Sequence, residues 1–424
     1  MSDRIRKPSI GRTSGEIFEP GPHWRPRYWS IFVGQAFSLI GSALTQFVLL
    51  WWITDTTGSV SALATAGLVA LLPQALLAPF GGTLADRLSR RLLMIAADVV
   101  SALCMVVLIA LFLTQQVELW HVYTMMFIRS AMQAFQAPAA AASTAMLVPQ
   151  SFIPRAAGLN QTVQGLMSVA AAPLGALAIS VMPIGLALGI DVLTAVLGIV
   201  PLLIYRIPQP QDPADRRTSL WGEFRAGVQL VWHDAGLLHL FGLLGAVVLV
   251  VMPTAMLVPL LVKEHFGGGA PQVAVMEALW GLGMLAGGTV VAVLAPRRFV
   301  RWTIWGFAVS CFTFAIAAVM PPALFWIALM WWTLSGVTFV MGNAPLTALL
   351  QTAVPNHLQG RVLSLLSTVM GLAGPVGLAL ATPLGELIGI RWLFVATGVA
   401  GGIVSLLGFF SGPLRHMDRQ DRSA

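Results

Sequence analysis

The chain has 424 residues, 57% of them hydrophobic and only 10% charged, whereas a soluble globular protein is about a quarter charged. So few charges cannot cover a water-facing surface. Most of the surface must face lipid, which excludes the soluble classes, and the net charge of +7 needs an explanation in those terms.

Residues 1–27 are polar and basic and lack the apolar core and cleavage site of a secretory signal, so a cytoplasmic tail is expected there. A spanning helix needs about 20 apolar residues. Twelve are read at 28–54, 61–80, 92–114, 119–138, 157–181, 186–205, 237–262, 272–295, 302–320, 322–344, 361–385 and 391–411. Runs such as Phe47–Ile53 and Met105–Phe112 are apolar on every face, as helices in lipid are. A membrane β-barrel would alternate in short segments instead. The expected class is an all-α integral membrane protein with twelve transmembrane helices. Residues 206–236 hold Pro208, Pro210 and Pro213 and read as a linker between six-helix bundles at 28–205 and 237–411. Residues 412–424 form a second tail.

All of the 24 Lys and Arg residues except Arg129, Lys263 and Arg391 fall in segments on one side of this topology. The positive-inside rule makes that side cytoplasmic. Both termini are then inside, the crossings are even in number, and the protein sits in the cell (inner or plasma) membrane. Basic charge here sets topology, so no nucleic-acid partner is expected. No Gly-x-x-x-x-Gly-Lys loop is present to hold ATP, and no His/Cys cluster has metal-ligand spacing. Cys104 and Cys311 read as packing residues. Neither an enzyme, a cofactor nor a metal site is expected.

Polar residues at membrane depth are the candidate site. Gln35, Ser38, Ser42 and Thr45 recur at spacings of three and four, on one helix face. They either wall a wet cavity or bridge helices, as Ser, Thr and Gln commonly do in membranes. Arg129, Gln133 and Gln136 share a face of span 4. A charge there costs roughly 2.5 to 3.5 kcal/mol, so Arg129 must face protein or water. Asp98 is its expected partner, at a depth within about 3 Å. Asp191 and Glu277 lie in the second turns of spans 6 and 8, where a carboxylate either complements the helix dipole or relays protons. Asn160 and Gln164 contact cargo or pair with neighbours. Trp331 and Trp332 lie deep enough for one of them to reach a cavity.

A shift of 206 residues realigns Gly81-Gly82-Thr83 with Gly287-Gly288-Thr289, Val148-Pro149 with Val354-Pro355, and Arg155 with Arg361. The chain therefore repeats, as two six-helix halves in the same orientation.

The loop between spans 2 and 3, Gly82-Thr83-Leu84-Ala85-Asp86-Arg87-Leu88-Ser89-Arg90-Arg91, resembles the signature G-x-L-A-D-R-x-G-R-R of the major facilitator superfamily. Ser89 stands where the second Gly is usual. Arg129 to Pro138, Leu147-Val148-Pro149, and Gln351 through Gly360-Arg361 look like the macrolide-efflux and enterobactin-exporter branch. The resemblance implies the major facilitator fold with two parallel halves. It implies that the first span of each half lines the pathway, which favours the cavity role for span 1. It also implies that Gly82, Asp86, Arg87, Arg90 and Arg91 form a conformational latch reaching the facing half. Asp86 aligns with Ala292 in the second copy, so the latch is one-sided. The function implied is proton-coupled export of amphipathic or hydrophobic small molecules. Among the candidate proton carriers Asp191 ranks first, because it lies near the outer face where protons enter and has no cationic partner in view, whereas Asp98 is tied to Arg129; Asp98 and Glu277 follow. A siderophore or metabolite exporter is the alternative, and a non-transporting receptor or scaffold the remote one.

Overall fold

Short polar signals set the helix starts. Ser59, Ser89 and Asp234 accept hydrogen bonds from the backbone N–H groups of Ala62, Leu92 and Leu237, satisfying donors that a helix start leaves open. The computed structural model describes residues 23–207, 229, 231–294, 296, 298–353 and 356–414, without the side chains of 79, 82, 83, 85–87, 145, 154, 351–353, 356–364 and 367. The linker at 208–228, most of both tails, and the side chains of Gly82, Asp86 and Arg87 in the expected latch therefore lie outside the described residues.

The helices are α1 (Trp24–Thr57), α2 (Val60–Arg87), α3 (Arg90–Leu113), α4 (Leu119–Leu147), α5 (Ile153–Val181), α6 (Ile184–Ile204), α7 (Ala235–Met256), α8 (Val258–Glu264), α9 (Ala270–Leu294), α10 (Phe299–Val319), α11 (Phe325–Ala353), α12 (Asn356–Ile388) and α13 (Ile390–Leu407). Among the described residues eleven helices are long and apolar enough to cross a membrane. The remaining long one is α4, which carries Arg129, Gln133 and Gln136. It completes the twelve spans.

Several helices outrun the stretches expected from hydropathy. α4 continues past Pro138 to Leu147, α11 past Pro345 to Ala353, and α2 to Arg87. An apolar count measures the lipid crossing, whereas backbone hydrogen bonding continues beyond it. A proline costs one of those bonds, and a helix bundle tolerates the loss. The seventh span is interrupted instead. Leu257 separates α7 from α8, with Pro259 in the first turn of α8.

The packing repeats helix for helix. In the first half α1 lies on α5 and α6, α2 on α4, and α3 on α4 and α6. In the second, α7 lies on α12 and α13, α9 on α11, and α10 on α11 and α13. Shifted back by 206 residues, α10 to α13 begin at 93, 119, 150 and 184, against 90, 119, 153 and 184 for α3 to α6. The repeated glycines hold equivalent positions. A Cβ at Gly81 would strike the Ala134 carbonyl on α4, and one at Gly287 the Val337 carbonyl on α11. The two halves meet where α2 packs on α12 and α5 on α9.

Three apolar cores follow from this arrangement. One joins both halves, with Phe47, Leu49 and Leu108 from the first and Leu261, Trp332 and Phe394 from the second. Trp332 is buried in it, stacked near Phe314 and Phe394, and so does not line a cavity. A second core, with Phe241, Ile304 and Leu349, belongs to the second half alone. A third, with Tyr28, Met94 and Leu202, belongs to the first half alone. These separate cores lie at the end where α1 begins, called here the terminal end. The shared core lies toward the far end. Cys104 and Cys311 are both buried and unbridged.

Candidate functional site

α1, α3, α4 and α6 each bring one polar stripe to the centre of the first half. With α2 and α5 they enclose a cavity of about 280 Å³ whose lining comes entirely from that half. Leu49 and Met126 belong both to the lining and to the shared core, so the core closes the cavity on the far side.

At its centre Arg129 Nη1 lies 3.0 Å from Asp191 Oδ2, with the two side chains 14% and 5% exposed. Ser42 Oγ donates to Asp191 Oδ1 at 3.2 Å, and Arg129 Nη1 also reaches Met105 Sδ at 3.1 Å. Nearer the terminal end, Gln136 Nε2 donates to Gln35 Oε1 at 2.6 Å, and Gln35 Nε2 donates to Asp98 Oδ2 at 3.2 Å. These are two linked polar groups, one ionic and one built on amides. A lone buried charge in this setting would be costly, and the pairing offsets part of that cost.

The expected partnership of Arg129 with Asp98 is therefore wrong, as is the expectation that Asp191 has no cationic partner. The expectation placed the end of span 4 at Pro138. Because α4 continues to Leu147, Arg129 lies further from the terminal end and sits level with Met105, about 10 Å further along α3 than Asp98. Gln136 sits at the Asp98 level instead. Asp191 also lies beyond the first turn of α6, so it does not complement the helix dipole.

Gln35, Ser38, Ser42, Gln133, Gln136 and Gln164 line the cavity. Thr45 does not. It is fully buried, and its hydroxyl has no hydrogen-bond partner among the described residues. At 3.6 residues per turn it stands about 80° round α1 from Gln35. Asn160 is exposed and outside the lining. Gln46, Gln74 and Ser130 also line it without having been singled out in the sequence. Ser130 donates to the Ala70 carbonyl and accepts from the Gln74 N–H, tying α2 to α4.

Glu277 lies outside this cavity, on α9. It is partly buried and makes no hydrogen bond among the described residues. One turn further along α9, Gly281 meets the backbone of Ser168 on α5, which places Glu277 beside the seam between the halves.

Arg90 and Arg91 of the expected latch are tied within the first half. Arg90 Nη1 donates to the Ala142 carbonyl at 2.9 Å, and Arg91 Nη2 to that of Leu203 at 2.7 Å. The second contact caps the C-terminal carbonyls of α6.

At the far end the halves are clasped by Lys263 of α8. Its Nζ donates to the Thr54 and Asp55 carbonyls at the end of α1, at 3.1 and 2.6 Å, and pairs with the Asp55 carboxylate at 3.2 Å. In the sequence Lys263 stands out only as an exception to the charge bias. Its position in the last turn of a proline-broken span was the available signal.

Helices of this length, packed as two repeats of which the first holds a polar cavity, are those of a multi-pass membrane transporter. Residues 31–378 match the model of the Major Facilitator Superfamily, and the chain belongs to that family. It is 29% identical over 399 residues to macrolide efflux protein A of Streptococcus pyogenes, covering 93% of this chain and 98% of that one. It is 30% identical over 314 residues to macrolide efflux protein A of Enterococcus faecalis, covering 73% and 97%. Among solved structures, a bacterial homologue of the human lysosomal transporter Spinster superposes with a TM-score of 0.69 at 15% identity, covering 95% of this chain and 99% of that one. The resemblance to the macrolide-efflux branch thus stands on both relatives.

Proposed function

We infer that the chain exports hydrophobic or amphipathic small molecules, of the macrolide or multidrug kind named in its relatives, by proton-coupled alternating access. One observation carries this reading: the halves share a core at the far end only, and a charged cavity lies on the unsealed side of it. With both termini cytoplasmic, as the arginine distribution requires, that arrangement faces inward. The bundles 28–205 and 237–411 are the bodies that rock, and the Asp86 loop is the latch that closes the terminal end in the opposite state.

The cavity favours Asp98 over Asp191 as the proton carrier. Protonating Asp191 would leave Arg129 buried without its counter-ion, and a broken buried pair costs about 3–5 kcal/mol. Asp98 is hydrogen-bonded to a neutral amide, so it can gain or lose a proton without stranding a cation. Glu277, beside the seam, is the second carrier, exposed to a changing environment as the halves move. Proteoliposomes with an imposed pH gradient test the assignment using a macrolide as cargo. Asp98→Asn should bind the cargo yet concentrate it at least about tenfold less, about 1.4 kcal/mol of sustained gradient. Full gradient-driven accumulation by this variant would rule Asp98 out.

A further inference from the structure

A groove of about 360 Å³ runs between α10 and α11 near the terminal end, with Arg298 and Arg301 at its mouth. Trp302, Trp305 and Val309 continue the same stripe of α10, and Met341 faces them from α11. Among the described residues α10 packs chiefly on α11 and α13, which leaves its remaining face turned outward to lipid. Trp305 is 56% exposed there.

The repeat supplies an internal control. At the same register, α3 carries Leu92 for Arg298, Ile95 for Arg301, Ala96 for Trp302, Val99 for Trp305 and Leu103 for Val309. A lipid-facing helix in this position therefore needs neither arginine nor tryptophan. The arginines that the first half does carry at this level, Arg90 and Arg91, donate to carbonyls of their own half. The Arg298 side chain has no hydrogen-bond or ion-pair partner among the described residues; its carbonyl accepts from the Trp302 N–H.

We propose that this groove binds one anionic phospholipid. Its phosphodiester sits at Arg298 and Arg301, and an acyl chain lies along Trp305, Val309 and Met341. Arginine forks match phosphate oxygens in two-pronged geometry. Tryptophan favours the headgroup boundary. From Arg301 to Val309 the stripe runs about 12 Å, from headgroup depth into the hydrocarbon. Basic pockets between helices on the cytoplasmic side favour anionic headgroups, and the cationic headgroup of a phosphatidylcholine would meet two arginines.

The test uses the full chain in detergent, titrated with brominated phosphatidylglycerol or brominated phosphatidylcholine. The fluorescence quenching absent from a Trp305→Phe variant isolates the groove from the other tryptophans. Phosphatidylglycerol should quench that component at a concentration on the order of tenfold lower than phosphatidylcholine. Arg298→Gln should shrink the ratio to about threefold, and Arg298→Gln with Arg301→Gln should erase it. Equal potency of the two lipids overturns the proposal. So does an unchanged ratio in Arg298→Gln, which decides the matter by itself if the double variant fails to fold.

Discussion

The two halves have the same helix packing in the same register, yet their centres differ in kind. Where the first half places Gln35, Ser42, Asp98, Arg129 and Asp191, the second places Phe241, Val248, Ile304, Ser335 and Thr397. Phe241 and Ile304 are core residues. Ser335 exchanges hydrogen bonds with Ser310 across α10 and α11, and Thr397 donates to carbonyls of its own helix. One copy has become a polar chamber and the other a packed body. The repeat fixes backbone positions and close helix contacts, and the side chains at matched positions then decide whether the space fills with water and charge or with phenylalanine. A transporter that rocks two bodies needs only one of them to carry the charged groups, so long as the other is rigid enough to lever against.

The largest expected effect comes from breaking the ion pair in the polar half. Arg129→Ala strands Asp191 in a buried setting, which should cost about 3–5 kcal/mol and lower the melting temperature in detergent sharply. Adding Asp191→Ala should recover most of the loss, with a coupling energy of roughly 1–3 kcal/mol in the double-mutant cycle. Arg129→Ala with Asp98→Ala serves as the control and should be near additive. Strong coupling to Asp98 with none to Asp191 would overturn the geometry described above.

The comparison can also be broken from the other side, by giving the packed half the charge it lacks. Ser335 is only 2% exposed, and Ser335→Arg installs the residue that Arg129 represents in the first copy. A charge at membrane depth costs roughly 2.5–3.5 kcal/mol, and the loss of the Ser310 bonds adds to this. Installing Thr397→Asp as well, at the Asp191 position, should recover part of the stability. A well-folded single variant, melting as the parent does, would mean that the second half already holds water at its centre.

Much of the fold was legible because its causes are local or periodic. Apolar length gives the spans, and the 206-residue shift gives the two halves. The polar stripes on α1 and α4 gave most of the cavity lining, since residues three and four apart share a face whatever they face. Which partner a residue meets was not legible. Ending span 4 at Pro138 pairs Arg129 with Asp98 only because it sets depth from the wrong place, since α4 runs on to Leu147. Thr45 fits the spacing rule but drifts out of the cavity as the offsets of three accumulate. Lys263 has no periodic signature at all, because its function depends on where α1 ends in the other half.

That clasp gives the smallest effect, and it sharpens a second contrast, between the sealed far end and the divided terminal end. Lys263 and Asp55 are 31% and 60% exposed, so their ion pair is worth about 0–1 kcal/mol. The ammonium also meets the carbonyls that end α1, where a cation gains a further 0.3–1 kcal/mol or so from the helix dipole. Together these amount to about 1 kcal/mol, roughly a fivefold change in a two-state population. All of it is lost when the halves part, because the donor and acceptors lie on different halves. Lys263→Met should therefore leave the fold intact while favouring the state open at the far end. Val60 is 8% exposed and lies against Gly385 of α12 at that end, so a cysteine there reports the opening. Val60→Cys should be labelled by a water-soluble thiol reagent about fivefold faster with Lys263→Met than without it. High salt should speed labelling of the Lys263 protein by a smaller factor, because it screens the ion pair. If Lys263→Met leaves the labelling rate unchanged, the shared apolar core holds the far end closed by itself and the clasp contributes nothing to the balance between states.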